Sequence, residues 1–198
     1  MLTTIIIIAA VLLVLGAIGA AIGALIARKW AGEVLAGKGF EVRPLTAANV
    51  DEFLEKDATF TVTVGREFPY PAHRVWDALQ LDGMFSWIPL VNGVRYRDGD
   101  RRAGALRTLD GVLAAAEERV IAQDRNSRLT VTGTHISIPF LIRSFAEDYR
   151  LTETAGGTLL TWTIAARPRV GTFLPLHWAA PFARPFARLA LKGLAARI

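Results

Sequence analysis

The stretch Phe60–Pro89, FTVTVGREFPYPAHRVWDALQLDGMFSWIP, decides the fold of this chain. It begins with apolar residues that alternate with Thr and Gly, the period of a strand with one buried face. Pro69 and Pro71 end that strand, and Pro71 also suits the start of a helix. Apolar residues then recur at helical spacing, namely at Ala72, Val75, Trp76 and Leu79. After the Asp-Gly break the pattern predicts a second short helix, from Met84 to Ile88.

The chain after Pro89 predicts a series of antiparallel strands. Turn signals at Asp98-Gly99, Asp110-Gly111 and Gly156-Gly157 separate apolar segments of strand length. The predicted strands are 93–97, 103–109, 112–122, 128–136, 142–154 and 158–166. With the first strand, they make about six or seven strands in one curved sheet.

The C-terminal segment, from about Leu174 to Arg197, has the periodicity of a helix. One apolar stripe is predicted to face the sheet and consists of Phe182, Phe186, Leu189 and Gly193. Prolines at positions 175, 181 and 185 disfavour a continuous helix, because each removes a backbone donor. We therefore expect a kink, or a late helix start near Pro181.

The order of these motifs resembles the START-like superfamily, and within it the polyketide cyclase/dehydrase and lipid-transport branch. The match begins with Trp76, Asp82 and Trp87-Ile88-Pro89. It continues with Gly104 in a strand, the run 117–120 (EERV), Asp124 before a basic turn, and Gly156-Gly157-Thr158 leading to Thr161-Trp162. The resemblance covers roughly Thr59 to Arg197 and leaves the first 58 residues unmatched.

The resemblance implies an α+β helix-grip domain over residues 59–198, in which a curved antiparallel sheet encloses a cavity against a C-terminal helix. Leu160, Trp162 and Ile164 alternate with threonines, so that side of the strand is predicted to be buried. The predicted ligand-binding residues are Trp87, His135, Phe140, Tyr149, Leu160, Trp162, Phe173 and Trp178. Ordinary core packing is the alternative for the aromatic residues, and a structural role is the alternative for His135.

The N-terminal segment predicts a membrane helix. Leu2–Ala27 contains 26 residues without a charge, and about 20 apolar residues suffice to cross a bilayer. A cleaved signal peptide is the alternative, but it requires a positive residue before the apolar run and a shorter core. The predicted organisation is therefore a transmembrane helix at 1–27, a juxtamembrane linker at 28–58 and the ligand-binding domain from residue 59.

The flanks of that helix predict its orientation. Arg28 and Lys29 follow it directly, and no Lys or Arg precedes it, so the positive-inside rule predicts a single-pass protein of the cell membrane with a cytoplasmic C-terminal domain. Small residues repeat every four positions and could pair with a partner helix: Gly16, Gly19, Ala20, Gly23 and Ala24. Ordinary use of Gly and Ala in membrane helices explains them equally well.

The residues that carry chemistry predict neither a metal nor a cofactor. His73, His135 and His177 lack the spacing of metal ligands, and the chain has no Cys, no GxSxG motif and no phosphate-binding glycine loop. The sequence pI is about 10.1, yet no nucleic-acid-binding motif is present. Attraction to an anionic lipid surface and an arginine-rich coding bias remain as explanations of the basic balance.

These observations predict a membrane-tethered binding or carrier domain for a hydrophobic small molecule such as a lipid, quinone or polyketide-like compound. Two alternatives stay open. One is an accessory subunit of a larger membrane protein complex. The other is a polyketide aromatase/cyclase, whose candidate polar groups are Glu117, Arg119, His135 and Tyr149.

Overall fold

The computed structural model describes residues 2–169 and 180–198, with side chains described from Gly16 to Arg169 and again from Ala183. Phe173 and Trp178, two predicted site residues, lie outside the described residues. The elements, in chain order, are α1 (Leu2–Leu35), β1 (Phe40–Glu41), α2 (Val50–Glu52) with a following π-helical turn (Phe53–Asp57), β2 (Phe60–Phe68), α3 (Ala72–Leu79), β3 (Val91–Tyr96), β4 (Leu106–Gly111), β5 (Ala115–Asp124), β6 (Arg128–Ile136), β7 (Ile142–Thr154), β8 (Gly157–Pro168) and α4 (Ala180–Ala195).

The centre of the fold is one curved antiparallel sheet. Seven strands follow the order β2-β8-β7-β6-β5-β4-β3, and the short β1 pairs with the end of β6. The predicted alternation holds in the central strands, because Leu160, Trp162 and Tyr149 are all buried on the side that forms the main core. The helix-grip prediction of a curved sheet of about six or seven strands with a C-terminal helix is confirmed.

The C-terminal helix α4 begins at Ala180, as the proline pattern predicts, and carries Pro185 in its interior. The predicted apolar stripe is wrong, because Phe186 and Leu189 are exposed. The buried face of α4 is shifted around the helix and consists of Ala187, Ala190, Leu191 and Leu194. Small residues on this face allow the helix to lie close to the sheet. This close packing favours the observed buried face over the predicted stripe, whose side chains are larger.

The second short helix, predicted from Met84 to Ile88, is replaced by a series of turns. Gly83 and Phe85 have positive φ values of 81° and 72°, which no helix contains. Met84 instead forms an isolated bridge with Val94 of β3. This turn places the ring of Phe85 on the core-facing side of the sheet, where it stacks on Trp162.

Residues 28–58, predicted as a linker, contain regular structure. The helix α1 continues to Leu35, and its last turns pack Ala31 and Val34 against Ala115 of β5. The segment around α2 covers the other side of the sheet, where Val50 and Phe53 are buried. Among the residues whose side chains the structure describes, no helix is long and apolar enough to cross a membrane. Pairing of α1 through its small residues stays a prediction.

Gly133, in the middle of β6, leaves the space that the ring of Phe145 occupies. A Cβ atom at Gly133 would lie 1.9 Å from Cε1 of Phe145, far inside any van der Waals contact. Because Gly133 has no side chain, the ring of Phe145 on the neighbouring strand β7 can occupy this position.

We expect Gly133→Ala to lower the free energy of unfolding by about 1–3 kcal/mol, the usual cost of overpacking a core. Chemical denaturation measures it. Gly65→Ala on β2 is the matched control, because its Cβ would meet nothing closer than 3.6 Å, so that change is expected to be close to neutral. Equal effects of the two substitutions would show that the ring of Phe145 yields to the added methyl group.

Candidate functional site

An apolar cavity of about 250 Å³ lies at one end of the sheet. Its wall comes from the ends of β2, β4, β5, β6, β7 and β8 and from the connections next to them. The lining residues are Phe60, Leu109, Ala114, Ala115, Ala116, Ile136, Ser137, Ile138, Leu141, Ile142, Phe145, Ile164 and Ala166. All but Ser137 are apolar, which is the character of a site for a hydrophobic molecule.

The cavity lies next to the end of α1. Ala115 lines the cavity and also contacts Ala31 and Val34 of that helix. The connection between β6 and β7 exposes Ile138 and Phe140, with 43% and 72% of their surfaces accessible. The rim of the cavity is therefore apolar on its outer side as well.

A row of aromatic rings links α1 to this rim. Trp30 of α1 packs edge-on against Phe40 of β1, with ring centroids 5.9 Å apart. Phe40 lies 6.4 Å from Phe140 between centroids. The last turns of α1, β1 and the β6–β7 connection thus form one continuous surface with exposed apolar side chains.

Beyond the cavity, a cluster of charged residues is buried inside the sheet. Arg107 of β4 donates from Nε to Oε2 of Glu118 at 2.6 Å, and from Nη2 to Oε2 of Glu147 at 3.1 Å. Tyr149 donates its hydroxyl to the same oxygen of Glu147 at 2.5 Å. The four side chains are almost completely inaccessible, so each charge depends on its partners in the cluster.

The environment shifts the pKa values of this cluster. Burial raises the pKa of Glu118 to about 7, a shift that nearby Glu147 increases and Arg107 opposes. Burial alone would lower the pKa of Arg107, but the charge of Glu118 and the other groups around it raise that pKa well above its usual value. Arg107 is therefore permanently charged, whereas Glu118 exchanges its proton near neutral pH.

A column of stacked rings connects the charged cluster to α4. The guanidinium of Arg107 lies 5.8 Å from the centre of the Tyr149 ring, and Tyr149 stacks on Trp162 at 5.3 Å. Phe85 also stacks on Trp162, at 5.0 Å. Trp87 packs edge-on against Phe85 and donates its Nε1 hydrogen to the carbonyl oxygen of Ala190 at 3.1 Å. These aromatic residues fill the interior between the cavity and α4.

The described residues that were predicted to bind a ligand do not line this cavity. Tyr149, Leu160 and Trp162 lie deeper in the core, while Trp87 anchors α4. Phe140 is exposed beside the lining residues Ile138 and Leu141. The alternation of the strands identified the correct face of the sheet, but it contains no information on where along a strand the space remains unfilled.

His135 is turned away from the cavity by an irregularity in β6. Glu117 pairs with His135 and Glu118 with Gly133, so Thr134 is an extra residue in β6. Such a bulge reverses the alternation, and Ile136 takes the inward position that the uninterrupted pattern predicts for His135. His135 instead contacts Oε1 of Glu117 through Nδ1, at 3.0 Å.

The polar groups considered for an enzyme do not converge. Glu117 accepts hydrogen bonds from Thr134 and His135 and pairs with Arg97, and these contacts outweigh its burial and lower its pKa. Tyr149 belongs to the separate cluster of Arg107, and Arg119 is exposed. Within residues 2–169 and 180–198, no three His, Asp or Glu side chains are grouped so that they could hold a metal ion.

Sequence reasoning missed the buried charges of Arg107, Glu118 and Glu147. Charged residues are almost never fully buried unless they are paired, so a charged residue is ordinarily assigned to the surface. The alternation of inward and outward residues along each strand could have identified them. Arg107 shares its face with Leu109, and Glu147 lies between Phe145 and Tyr149 on the inward side of β7.

We expect the raised pKa of Glu118 to make stability depend on pH. The folded state holds this proton more tightly than the unfolded state, whose ordinary pKa is 4.5. The proton on Glu118 therefore stabilises the folded state fully below about pH 4.5. This contribution to the free energy of unfolding, on the order of 3 kcal/mol, is lost as the pH rises through 7. Urea unfolding between pH 5 and 8 should show this loss in the wild type and not in Glu118→Gln.

Glu153→Gln serves as the control, because Glu153 is an exposed residue of β7. That variant should follow the pH dependence of the wild type. Parallel curves for the wild type and Glu118→Gln would mean that Glu118 does not change its protonation on unfolding.

Comparison with solved structures shows the same fold in several proteins. The chain resembles Ara h 8.0201 at 14% identity and a TM-score of 0.57, over 70% of this chain and 96% of that one. It resembles ginseng major latex-like protein 151 from Panax ginseng at 15% identity and a TM-score of 0.55, over 71% and 97% of the two chains. XoxI from Bacillus cereus gives 16% identity and a TM-score of 0.55, over 69% and 94%.

A comparison with curated proteins found no match. A family model, in contrast, matches residues 59–198, which is most of the chain and includes every strand from β2 to β8 together with α4. The match agrees with the curved sheet and the C-terminal helix. The chain therefore belongs to the family described as polyketide cyclase/dehydrase and lipid transport.

Proposed function

We propose that this protein binds a hydrophobic small molecule in the apolar cavity and does so at a membrane. The observation that carries the first part is the cavity itself, a space of about 250 Å³ whose lining is apolar except for one serine. Membership of a family that includes lipid-transport proteins supports the same function.

The size of the cavity limits the ligand. Ligand pockets in proteins commonly measure about 300–1,000 Å³, and the cavity here is close to the lower end of that range. It has room for a small ring system or for a segment of a lipid chain, but not for an entire phospholipid. A quinone ring or a compact polyketide-like ring therefore fits better than a two-chain lipid.

The second part of the proposal is a tether formed by residues 2–27. The sequence of that segment supports it, since 26 consecutive residues carry no charge. Ile18, Ile22 and Leu25, which lie on the described part of α1, each expose more than half of their surface. Apolar side chains exposed in a row along a helix are unfavourable in water, and contact with lipid tails would remove that cost.

The arrangement around the cavity supports the same proposal. The end of α1 contacts the cavity wall at Ala115. The aromatic row of Trp30, Phe40 and Phe140, of which the two phenylalanines are exposed, lies at the same end of the domain. Trp, here represented by Trp30, is enriched where proteins meet the membrane surface. A hydrophobic ligand dissolved in the bilayer would therefore have a short path into the cavity.

We expect Ile164→Trp to abolish binding, because the larger ring fills a space that Ile164 only lines. Thr163→Trp is the matched control, since Thr163 is the adjacent residue on the opposite face of β8, where it contacts Thr63. Displacement of a fluorescent apolar dye from the purified full chain should weaken at least tenfold for Ile164→Trp and remain within about twofold for Thr163→Trp. Equal affinities for both variants would place the ligand outside this cavity.

The tether is tested by chemical labelling, because the chain contains no natural cysteine. Asp98→Cys places a thiol in the exposed turn after β3, and Thr3→Cys places one at the start of the uncharged segment. An impermeant maleimide added to intact cells should label the cysteine at position 3 but not the one at position 98. Labelling at position 98 before lysis would overturn the proposed cytoplasmic location.

A separate fractionation experiment tests attachment itself. The full chain should stay with the membrane pellet in alkaline carbonate, whereas a variant without residues 2–27 should be released. Release of the full chain would show that these residues do not anchor the protein.

A further inference from the structure

A second groove, with a volume of about 460 Å³, lies between the edge strand β2 and the C-terminal helix α4. The strand contributes Arg66 to its lining. The helix contributes two cations and an apolar strip, namely Arg188, Lys192, Pro185, Leu189 and Leu191. The groove shares no lining residue with the apolar cavity, so it is a separate feature of the molecule.

Arg66 lies at a position where the alternation of β2 predicts an apolar residue. The other residues on its side of the strand are all buried in the main core: Phe60, Val62, Val64 and Phe68. Arg66 is exposed, because the groove opens at this point between the strand and the helix. The adjacent carboxylate, Glu67, is on the opposite side of the strand and accepts a hydrogen bond from Thr154. The strand therefore directs a cation, and no carboxylate, towards α4.

The helix adds two more cations to the same groove. Arg188 and Lys192 are four residues apart, so they lie about one turn from each other on α4. Like charges at this spacing destabilise a helix. No Asp or Glu lines the groove, and Arg66, Arg188 and Lys192 form no ion pair within the described residues. An anion in the groove would relieve this uncompensated repulsion.

General explanations of basic residues do not account for this arrangement. Residues 154–198 contain six Lys and Arg residues and no Asp or Glu, so a coding bias explains the number of cations but not their convergence. An inward-pointing charge on an edge strand can protect the strand from pairing with another chain, which would explain Arg66 alone. Arg188 and Lys192 belong to the helix, where this protection has no role.

We propose that the groove is a binding site for a phosphate group, which Arg66 contacts from the sheet and Arg188 and Lys192 contact from the helix. A carboxylate carries one negative charge and is satisfied by a single arginine. A phosphate monoester carries about 1.5–2 negative charges and three acceptor oxygens, so it matches three cations better. The site lies outside the cavity, and the inference therefore goes beyond the proposed function and does not depend on it.

The apolar strip beside the cations indicates what the phosphate is attached to. Leu189 has 46% of its surface exposed, and Pro185 is exposed as well. Inorganic phosphate would leave this strip in contact with water, whereas an apolar group attached to the phosphate would cover it. A phospholipid head group with its first acyl carbons and a soluble phosphate ester with an apolar substituent both have this chemistry.

The test uses two phosphate monoesters, phosphatidic acid as the lipid and phenyl phosphate as the soluble ester. Each is titrated by calorimetry into the full chain in a neutral detergent. Arg66→Gln and Arg188→Gln should each weaken binding about tenfold, the effect of one lost hydrogen bond to a charged group. Diacylglycerol is the same lipid without the phosphate, and its binding should not respond to either substitution.

Two control variants separate the groove from the rest of the protein. Arg95→Gln removes the same charge from an exposed residue of β3, at the opposite edge of the sheet, and should bind both esters within twofold of the wild type. Ile164→Trp fills the apolar cavity and should also leave phosphate binding within twofold. Phosphorus NMR should show a shift of the phosphate resonance with the wild type and none with the double variant of Arg66 and Arg188.

The outcomes identify the source of the phosphate or overturn the site. Binding of phosphatidic acid alone supports the site and assigns it to a lipid head group, whereas binding of phenyl phosphate supports it and assigns it to a soluble ester. The proposal is wrong if the wild type binds neither ester, or if Arg95→Gln weakens binding as much as the groove variants. Oleate that binds equally well through Arg66 and Arg188 would contradict the preference for phosphate.

The proposed function can fail independently of this site. Displacement of the apolar dye reports on the cavity, and the phosphate titration reports on the groove. Loss of phosphate binding in Ile164→Trp would place the phosphate in the cavity and overturn the assignment to the groove.

Discussion

The interior depends on the two ion pairs of Arg107. Its guanidinium is buried and permanently charged, so its partners must stay in place for the fold to tolerate it. Glu118 is on the adjacent strand, but Glu147 is on β7, three strands away in the order of the sheet. In a flat sheet three strand spacings measure about 14 Å. The bond between Arg107 and Glu147 therefore requires a strongly curled sheet, and the same curl encloses the cavity.

The curl also depends on the missing side chain at Gly133 of β6, the strand that lies between β5 and β7. Gly133 contributes no side chain on the inward face, and the ring of Phe145 occupies that space. Phe145 in turn forms part of the cavity wall. The local curvature of the sheet therefore depends on three residues together. They are Gly133 on β6, Phe145 on β7 and Arg107, whose side chain reaches across to β7. Each would be poorly packed or unpaired without the others.

The sequence predicted most of the architecture because period-2 alternation follows directly from the geometry of a strand. It located β7 and β8 closely and placed Leu160, Trp162 and Tyr149 on the buried face. It failed where the backbone departs from regular geometry. The positive φ of Phe85 replaced a predicted helix with turns, and the extra residue Thr134 reversed the phase of His135. Neither departure has a strong local signal.

The site was predicted less well than the fold for a physical reason. A cavity is a place where side chains do not fill the space, and its position depends on how the ends of six strands meet. The alanines at 114–116 and the isoleucines at 136 and 142 form the wall, and such residues look like ordinary core positions in a sequence. Tyr149 and Trp162 were predicted to line the cavity because they are large and aromatic, but large side chains fill space, and these two lie beside the cavity.

The contact between α1 and Ala115 has a practical consequence for anyone who prepares this domain. Ala115 forms part of the cavity wall and also packs against Ala31 and Val34 of α1. A soluble fragment cut at the start of the matched family region, residue 59, would lose this support together with the strand β1. Such a fragment would not represent the intact chain, since its cavity would have a different wall.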